Sequence, residues 1–187
     1  MAGVSKKDAV CYTLLMTSPY DFQNVVAIKI LVKREDKVLL IREPEFNDWM
    51  PNKLGLPGGK PLINETLRDT ISRKAKSEIG FEIAVRGIVR IQNIIMPNYT
   101  AYHVILAADH LSGEIDTSNT ESKDIAWYGL DEITKLNKDD FTEFYNDKII
   151  KQYLQGELTP IPMSYVTFQD NRSDAIAGWM ERSTKNS

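Results

Sequence analysis

Apolar residues fall along this chain in two rhythms. Val25 to Lys33 is dense in valine and isoleucine, is bounded by Asn24 and by the Glu35-Asp36 pair, and predicts a strand. Lys37 to Arg42 predicts the return strand of a hairpin, and the two together read as central sheet. Ile83 to Ile95 and Thr100 to Ala108 predict a second strand pair around Pro97-Asn98, with a further short strand over Ile125 to Tyr128. Val10 to Met16 predicts an early strand, ahead of the turn-prone Thr17-Ser18-Pro19. The helical rhythm occurs at Leu67, Ile71 and Ala75, over Leu130 to Leu136, and over Phe141 to Leu154 with Phe144, Ile149, Tyr153 and Leu154 as apolar contacts. Strands interleaved with a few helices predict a layered α/β (α+β) architecture rather than a bundle or a sandwich of sheets.

The stretch from Leu56 to Phe81 carries the chemistry. Pro57, Gly58 and Gly59 break the preceding extended run, because proline lacks a backbone donor and glycine reaches dihedrals closed to other residues. After Pro61, Asn64 reads as an N-cap and Glu65 as a first-turn acid, so the spacing predicts a helix over Glu65 to Ile79. Gly80 closes it as a left-handed cap, and Phe81 begins the return to extended chain. At about 100° per residue, Lys74 and Glu78 fall near the centre of the apolar stripe and Ser77 at its edge. Charged residues on a packing face need a partner or a ligand. A helix that directs carboxylates toward a groove beside a glycine turn is one way to hold Mg²⁺, which takes oxygen ligands and bridges to substrate phosphates.

This segment resembles the Nudix box: glycine, five residues, glutamate, seven residues, then Arg-Glu-apolar-any-Glu-Glu-any-Gly-apolar. Gly59, Glu65, Arg73, Ala75, Glu78, Gly80 and Phe81 match it in unbroken register after a family-like Leu56-Pro57-Gly58-Gly59 entry. The resemblance implies a Nudix-type α/β/α sandwich with a mixed sheet over residues 24–156. Glu121 through Leu136 looks like the family's late acidic-then-tryptophan strand and following helix. The family hydrolyses diphosphates linked to a nucleoside or another group, with Mg²⁺ or Mn²⁺ neutralising the phosphates and activating water.

Two positions depart from the pattern, and both carry chemistry. The glutamate that follows the family's arginine is Lys74, and the first of the paired glutamates is Ser77. Three negative charges thereby become none when Lys74 is protonated and Glu78 ionised. Lys74 lies four residues before Glu78, so the two can pair and the ammonium can act as an internal substitute for metal charge; a solvated pair on an ordinary amphipathic helix is the alternative. The resemblance assigns Glu78 and Glu65 as metal candidates and Arg73 as an organiser that braces the loop through ion pairs. Arg73 as plain surface charge and Glu65 as a helix-dipole residue stay open beside those roles. A further acid from a loop is needed, Glu121 first and Glu114 or Asp116 next, each against the reading of a solvated charge. Gly58, Gly59 and Lys74 would meet the phosphates. Phe46, Trp49 and Tyr99 are candidates to stack on a base, each against plain packing, while Trp127 reads as core.

Composition narrows the setting. A net charge of −3 gives no footprint for duplex nucleic acid. The single cysteine, Cys11, excludes an intrachain disulfide, reads as packed, and fits a reducing, cytoplasmic setting. No apolar run is long enough for a membrane span. Residues 1–23 form an extension with a strand, 24–156 the domain, and 157–187 a tail in which Asp174 to Arg182 reads as a short helix with Ile176, Trp179 and Met180 on one side. Such a helix would dock on the domain or on a second subunit, leaving a homodimer open. Two functions follow: a divergent hydrolase of nucleoside diphosphate-linked small molecules, weakened by Lys74 and Ser77, or a domain without catalysis that binds a nucleotide-type ligand or a protein. The number of carboxylates at the box separates them.

Overall fold

The computed structural model describes residues 23–46, 50–95, 99–116, 123–142 and 146–165. The strand expected over Val10 to Met16 and the helix expected over Asp174 to Arg182 lie outside these residues. β1 (Gln23–Arg34) and β2 (Lys37–Arg42) form the expected hairpin, turning at Glu35, whose φ is 56°. The short β3 (Leu54–Gly55) pairs with β2, and β4 (Gly58–Gly59) pairs with β1. β5 (Glu82–Ile95) and β6 (Tyr99–Ser112) make a long antiparallel pair, and β6 lies parallel to β1 over their whole shared length. β7 (Lys123–Gly129) pairs with β2, and β8 (Ile161–Pro162) with β5. The main path of the sheet runs β3-β2-β1-β6-β5-β8, and the parallel β1–β6 ladder makes it mixed.

Each central strand is apolar on both sides, which is why its sequence reads as a continuous run instead of an alternation. Ile28, Ile30 and Val32 of β1 join Leu39, Ile41, Leu106 and Ala108 in one core, closed by Ile71, Ala75 and Ile79 of the helical segment after the glycine turn. Leu31, Val38, Leu40, Ile105 and Ala107 point the other way and pack with Ile133, Ile149, Ile150 and Tyr153. Those last four come from α2 (Leu130–Lys135) and α3 (Asn146–Leu154). The sheet is therefore sandwiched between helices, as an α/β/α arrangement requires.

The helical segment itself departs from the expected bounds. α1 runs Leu67–Lys74, and its N-cap is Thr66 rather than Asn64. Thr66 Oγ1 accepts from the Asp69 amide at 3.2 Å, and Asp69 Oδ2 accepts from the Thr66 amide at 3.0 Å, a reciprocal box that fixes the first turn. Asn64 takes a left-handed φ of 68° in the loop before it. After Lys74 the coil widens into a π-helical turn over Ala75–Ile79, with the Gly80 amide reaching Ala75 O at 3.0 Å, and Gly80 closes it at φ 77°. The helix expected over Phe141 to Leu154 is described over Asn146–Leu154, and Phe141 itself lies outside it. Phe141 bridges to Leu54 and is buried, and the Thr142 amide donates to Leu54 O at 2.8 Å, so this stretch serves the sheet edge. Among the described residues no helix is long and apolar enough to cross a membrane.

Burial sets the energetic contrast along the long strands. Leu106→Ala is expected to lower the unfolding free energy by about 2–5 kcal/mol, whereas Ile91→Ala, at a position 61% exposed, should change it by less than about 0.5 kcal/mol; urea midpoints measure both.

Candidate functional site

The glycine turn is built against the central strand. Pro57 O accepts the Ile30 amide at 2.8 Å, and Gly58 and Gly59 pair with Lys29 and Ile28. A side chain on Gly58 would place its Cβ 2.0 Å from Ile28 O, and φ there is 151°, so only glycine fits. A Cβ on Gly59 would sit 2.4 Å from Lys74 Cε, because the lysine stem lies across that residue.

Lys74 Nζ lies 2.6 Å from Glu78 Oε1, with the two side chains 12% and 7% exposed. The other carboxylate oxygen, Oε2, accepts the Gly58 amide at 2.8 Å. Burial pushes the Glu78 carboxyl above its ordinary range, against the opposing pull of Lys74, the Gly58 amide and the charge of Lys29. Helix, turn and lysine are thus locked through one carboxylate. Ser77 Oγ is buried with no hydrogen-bond partner, at a typical cost of about 1–3 kcal/mol for such a group.

A second ion pair organises the loop between turn and helix. Arg73 Nε and Nη2 donate to Glu65 at 2.6 and 2.8 Å, and Nη2 also donates to Lys60 O at 3.1 Å. Glu65 Oε2 further accepts the Leu62 amide at 2.8 Å and the hydroxyl of buried Thr70 at 3.0 Å. These bonds, Arg73 foremost, hold the Glu65 carboxyl at a pKa of about 2. The guanidinium so bridges both ends of the 60–65 loop.

The donor set does not suit a divalent cation. Of the two carboxylates named for a metal, Glu78 already has an ammonium on one oxygen and an amide on the other, and Glu65 is the counter-ion of Arg73. Among the described residues no group of three His, Cys, Asp or Glu is placed to hold a metal ion. Glu114 is 88% exposed and faces Arg34 at 3.9 Å, while Asp116 packs against Gly80, where an added Cβ would stand 2.6 Å from its own Cβ. Glu121 and Trp49 fall outside the described residues.

Phe46 is 81% exposed, and Tyr99 is half-buried at the start of β6. Trp127 packs on the core, stacked on Phe81 at 5.8 Å with the Arg34 guanidinium 4.6 Å from its ring. A separate groove of about 740 Å³ runs along another side of the helix, lined by Ile71, Ala75, Phe81, Ile83, Leu111 and Met163 among others, and none of the box carboxylates lines it. The sequence reading passed over Lys29, whose charge reaches Glu78 only because β1 and the turn are paired; its place in an apolar strand was the available signal.

A family model for the NUDIX domain matches residues 23–152. An NAD-capped RNA hydrolase, NudC, of Pseudomonas aeruginosa (strain LESB58) is 30% identical over 109 residues, 57% of this chain and 37% of that protein, so the chain spans little more than a third of that relative. An ADP-ribose pyrophosphatase of Methanocaldococcus jannaschii is 23% identical over 154 residues, 81% of this chain and 82% of that one. A solved NUDIX hydrolase from Nitrosomonas europaea shares the fold with a TM-score of 0.67 at 19% identity, over 80% of this chain and 99% of that one.

The depressed Glu65 carboxyl favours folding above its ordinary value of 4.5, and that contribution is lost as pH falls through about 2. Glu65→Gln is therefore expected to show a shallower loss of stability than the parent across that interval, read from urea midpoints at stepped pH. Ser77→Ala, which removes an unpartnered buried hydroxyl, should leave the thermal midpoint unchanged or raise it, as calorimetry would register.

Proposed function

Since the chain belongs to the NUDIX family, we propose that it acts on a pyrophosphate-containing small molecule of the nucleoside diphosphate-linked kind, as a divergent hydrolase of low turnover. The observation that carries this reading is the Lys74–Glu78 pair beneath the Gly58–Gly59 turn: the frame for a diphosphate is kept, while the negative charge that would gather a metal is cancelled inside it. The relative named for ADP-ribose covers most of this chain, and ADP-ribose carries a diphosphate, which supports the substrate class.

Low turnover follows from the donor set. Taking ligands and their supports away from a metal site commonly costs 10- to 100-fold or more in metal affinity or activity, as an order of magnitude. Mg²⁺ or Mn²⁺ at this site would have to draw on Glu114, Asp116 or Glu121, acids supplied by loops. Gly58, Gly59 and Lys74 would face the phosphates, and Phe46, Trp49 and Tyr99 remain the aromatic candidates for a base.

A second reading, a ligand-binding domain without turnover, is favoured by one specific observation. Both oxygens of Glu78 are committed, so the carboxylate retained from the glutamate trio is not poised to take a proton from water. Hydrolysis of nucleoside triphosphates, ADP-ribose, dinucleoside polyphosphates and NADH, in Mg²⁺ and in Mn²⁺ and read by chromatography of the products, separates the readings. Water splitting the diphosphate of ADP-ribose leaves AMP and ribose 5-phosphate, with no free phosphate. The expected result is slow product formation from an ADP-ribose-type compound that rises at least about tenfold in the Lys74→Glu, Ser77→Glu double variant. Absence of products with either protein, with calorimetric binding retained, would decide for the binding domain.

A further inference from the structure

We propose that the segment after Tyr165 folds back onto its own domain, where a short helix over Asp174 to Arg182 seats Ile176, Trp179 and Met180 in the groove beside α1. Ile71 of α1, Phe81, Ile83 and Val85 of β5, Leu111 of β6 and Met163 give that groove its apolar lining. Its volume of about 740 Å³ is on the scale of pockets that enclose small organic molecules, so three side chains fit. Leu111 is 59% exposed there, apolar surface whose removal from water is favourable.

The route of the chain selects the occupant. Ile161 pairs with Ile88 and Pro162 with Gly87 in an antiparallel ladder, so β8 heads along β5 toward Val85 and Ile83, the groove wall. The seam is tight: a Cβ on Gly87 would stand 2.0 Å from Ile161 O, and the backbone of β8 is pressed onto that glycine. A single 3-10 turn over Met163–Tyr165 follows, and Met163 already lines the groove. The described residues therefore end at its margin, with twenty-two residues of sequence still to follow. Eight of these separate Tyr165 from Asp174 and can span at most roughly 28 Å. So short a tether keeps the segment beside the groove at an effective concentration on the order of millimolar, which favours it over a second copy or a separate protein.

The pattern of the segment fits the same place. In a helix, Ile176, Trp179 and Met180 fall within roughly 100° of arc, while Asp174 and Glu181 fall on the opposite side. A helix of this length is marginal alone in water and persists only where one face is packed.

Disulfide trapping on the full chain tests this, with Cys11→Ser removing the native thiol. Leu111→Cys is combined in turn with Ile176→Cys, Trp179→Cys and Met180→Cys, and separately with Glu181→Cys. Bridging requires Cα atoms within about 7 Å, so at least one of the first three pairs should give an intramolecular link, monomeric on a non-reducing gel. The link should be lost with Glu181→Cys. Emission of Trp179, taken as the difference between the parent and Trp179→Phe, should lie to the blue of the same difference in urea. It should shift to the red in Leu111→Glu, a change at an exposed position that the fold tolerates. A link formed only as a covalent dimer would give the groove to a second copy. That result, the absence of a link in all three pairs, an equal link with Glu181→Cys, or emission unmoved by Leu111→Glu each overturns the proposal. No nucleotide or metal enters these readouts, so their outcome is separate from the reading of the glycine turn.

Discussion

A buried ion pair holds three parts of this molecule in one arrangement. The Glu78 carboxylate grips the Lys74 ammonium with one oxygen and the Gly58 amide with the other, tying the helical segment to the turn that follows β3. Breaking such a pair from one side leaves an uncompensated charge, which is far more damaging than the pair is beneficial. The arrangement therefore persists only if both partners persist, and everything around them is shaped to that end. Gly59 leaves room for the lysine stem, Gly58 approaches Ile28 without a side chain, and Ile79 and Ala75 anchor the same turn of helix in the core.

The second pair, Arg73 with Glu65, does a different task. It lies closer to solvent and spans the loop from Lys60 to the start of the helix, with Thr70 and the Leu62 amide completing the carboxylate's bonds. A loop closed this way loses little further freedom, because its ends are bound by a planar guanidinium in a two-pronged contact. Adjacent residues on one helix thus serve opposite directions: Arg73 braces the loop before the helix, and Lys74 lies across the glycine turn.

Much of this was legible in the chain. Doubly buried strands announced themselves as unbroken Val, Ile and Leu runs, and Gly80 marked the end of the helical segment. The four-residue spacing of Lys74 and Glu78 in the box register already puts them on one helical face. Other features were not readable by the same means. The Thr66-x-x-Asp69 cap was available as a pattern, yet Asn64, a residue type equally suited to an N-cap, masked it. The π-helical turn is set by how Ala75 and Ile79 seat in the core, a tertiary effect with no local signature. Phe141 carried the helical rhythm but was claimed by the sheet, where its backbone meets Leu54. The part of Lys29 depended on a pairing between β1 and β4 that spans some thirty residues of sequence, beyond the reach of any short window.

The seam between turn and β1 has one more consequence. Pro57 and the two glycines are stitched onto Ile28, Lys29 and Ile30, in a strand walled in on either flank by packed aliphatic side chains. A guest seated on that turn would meet a contour already cast when the polypeptide folded. The ordering of this backbone would add little to the cost of docking, while the loss of the guest's own translational and rotational freedom would remain.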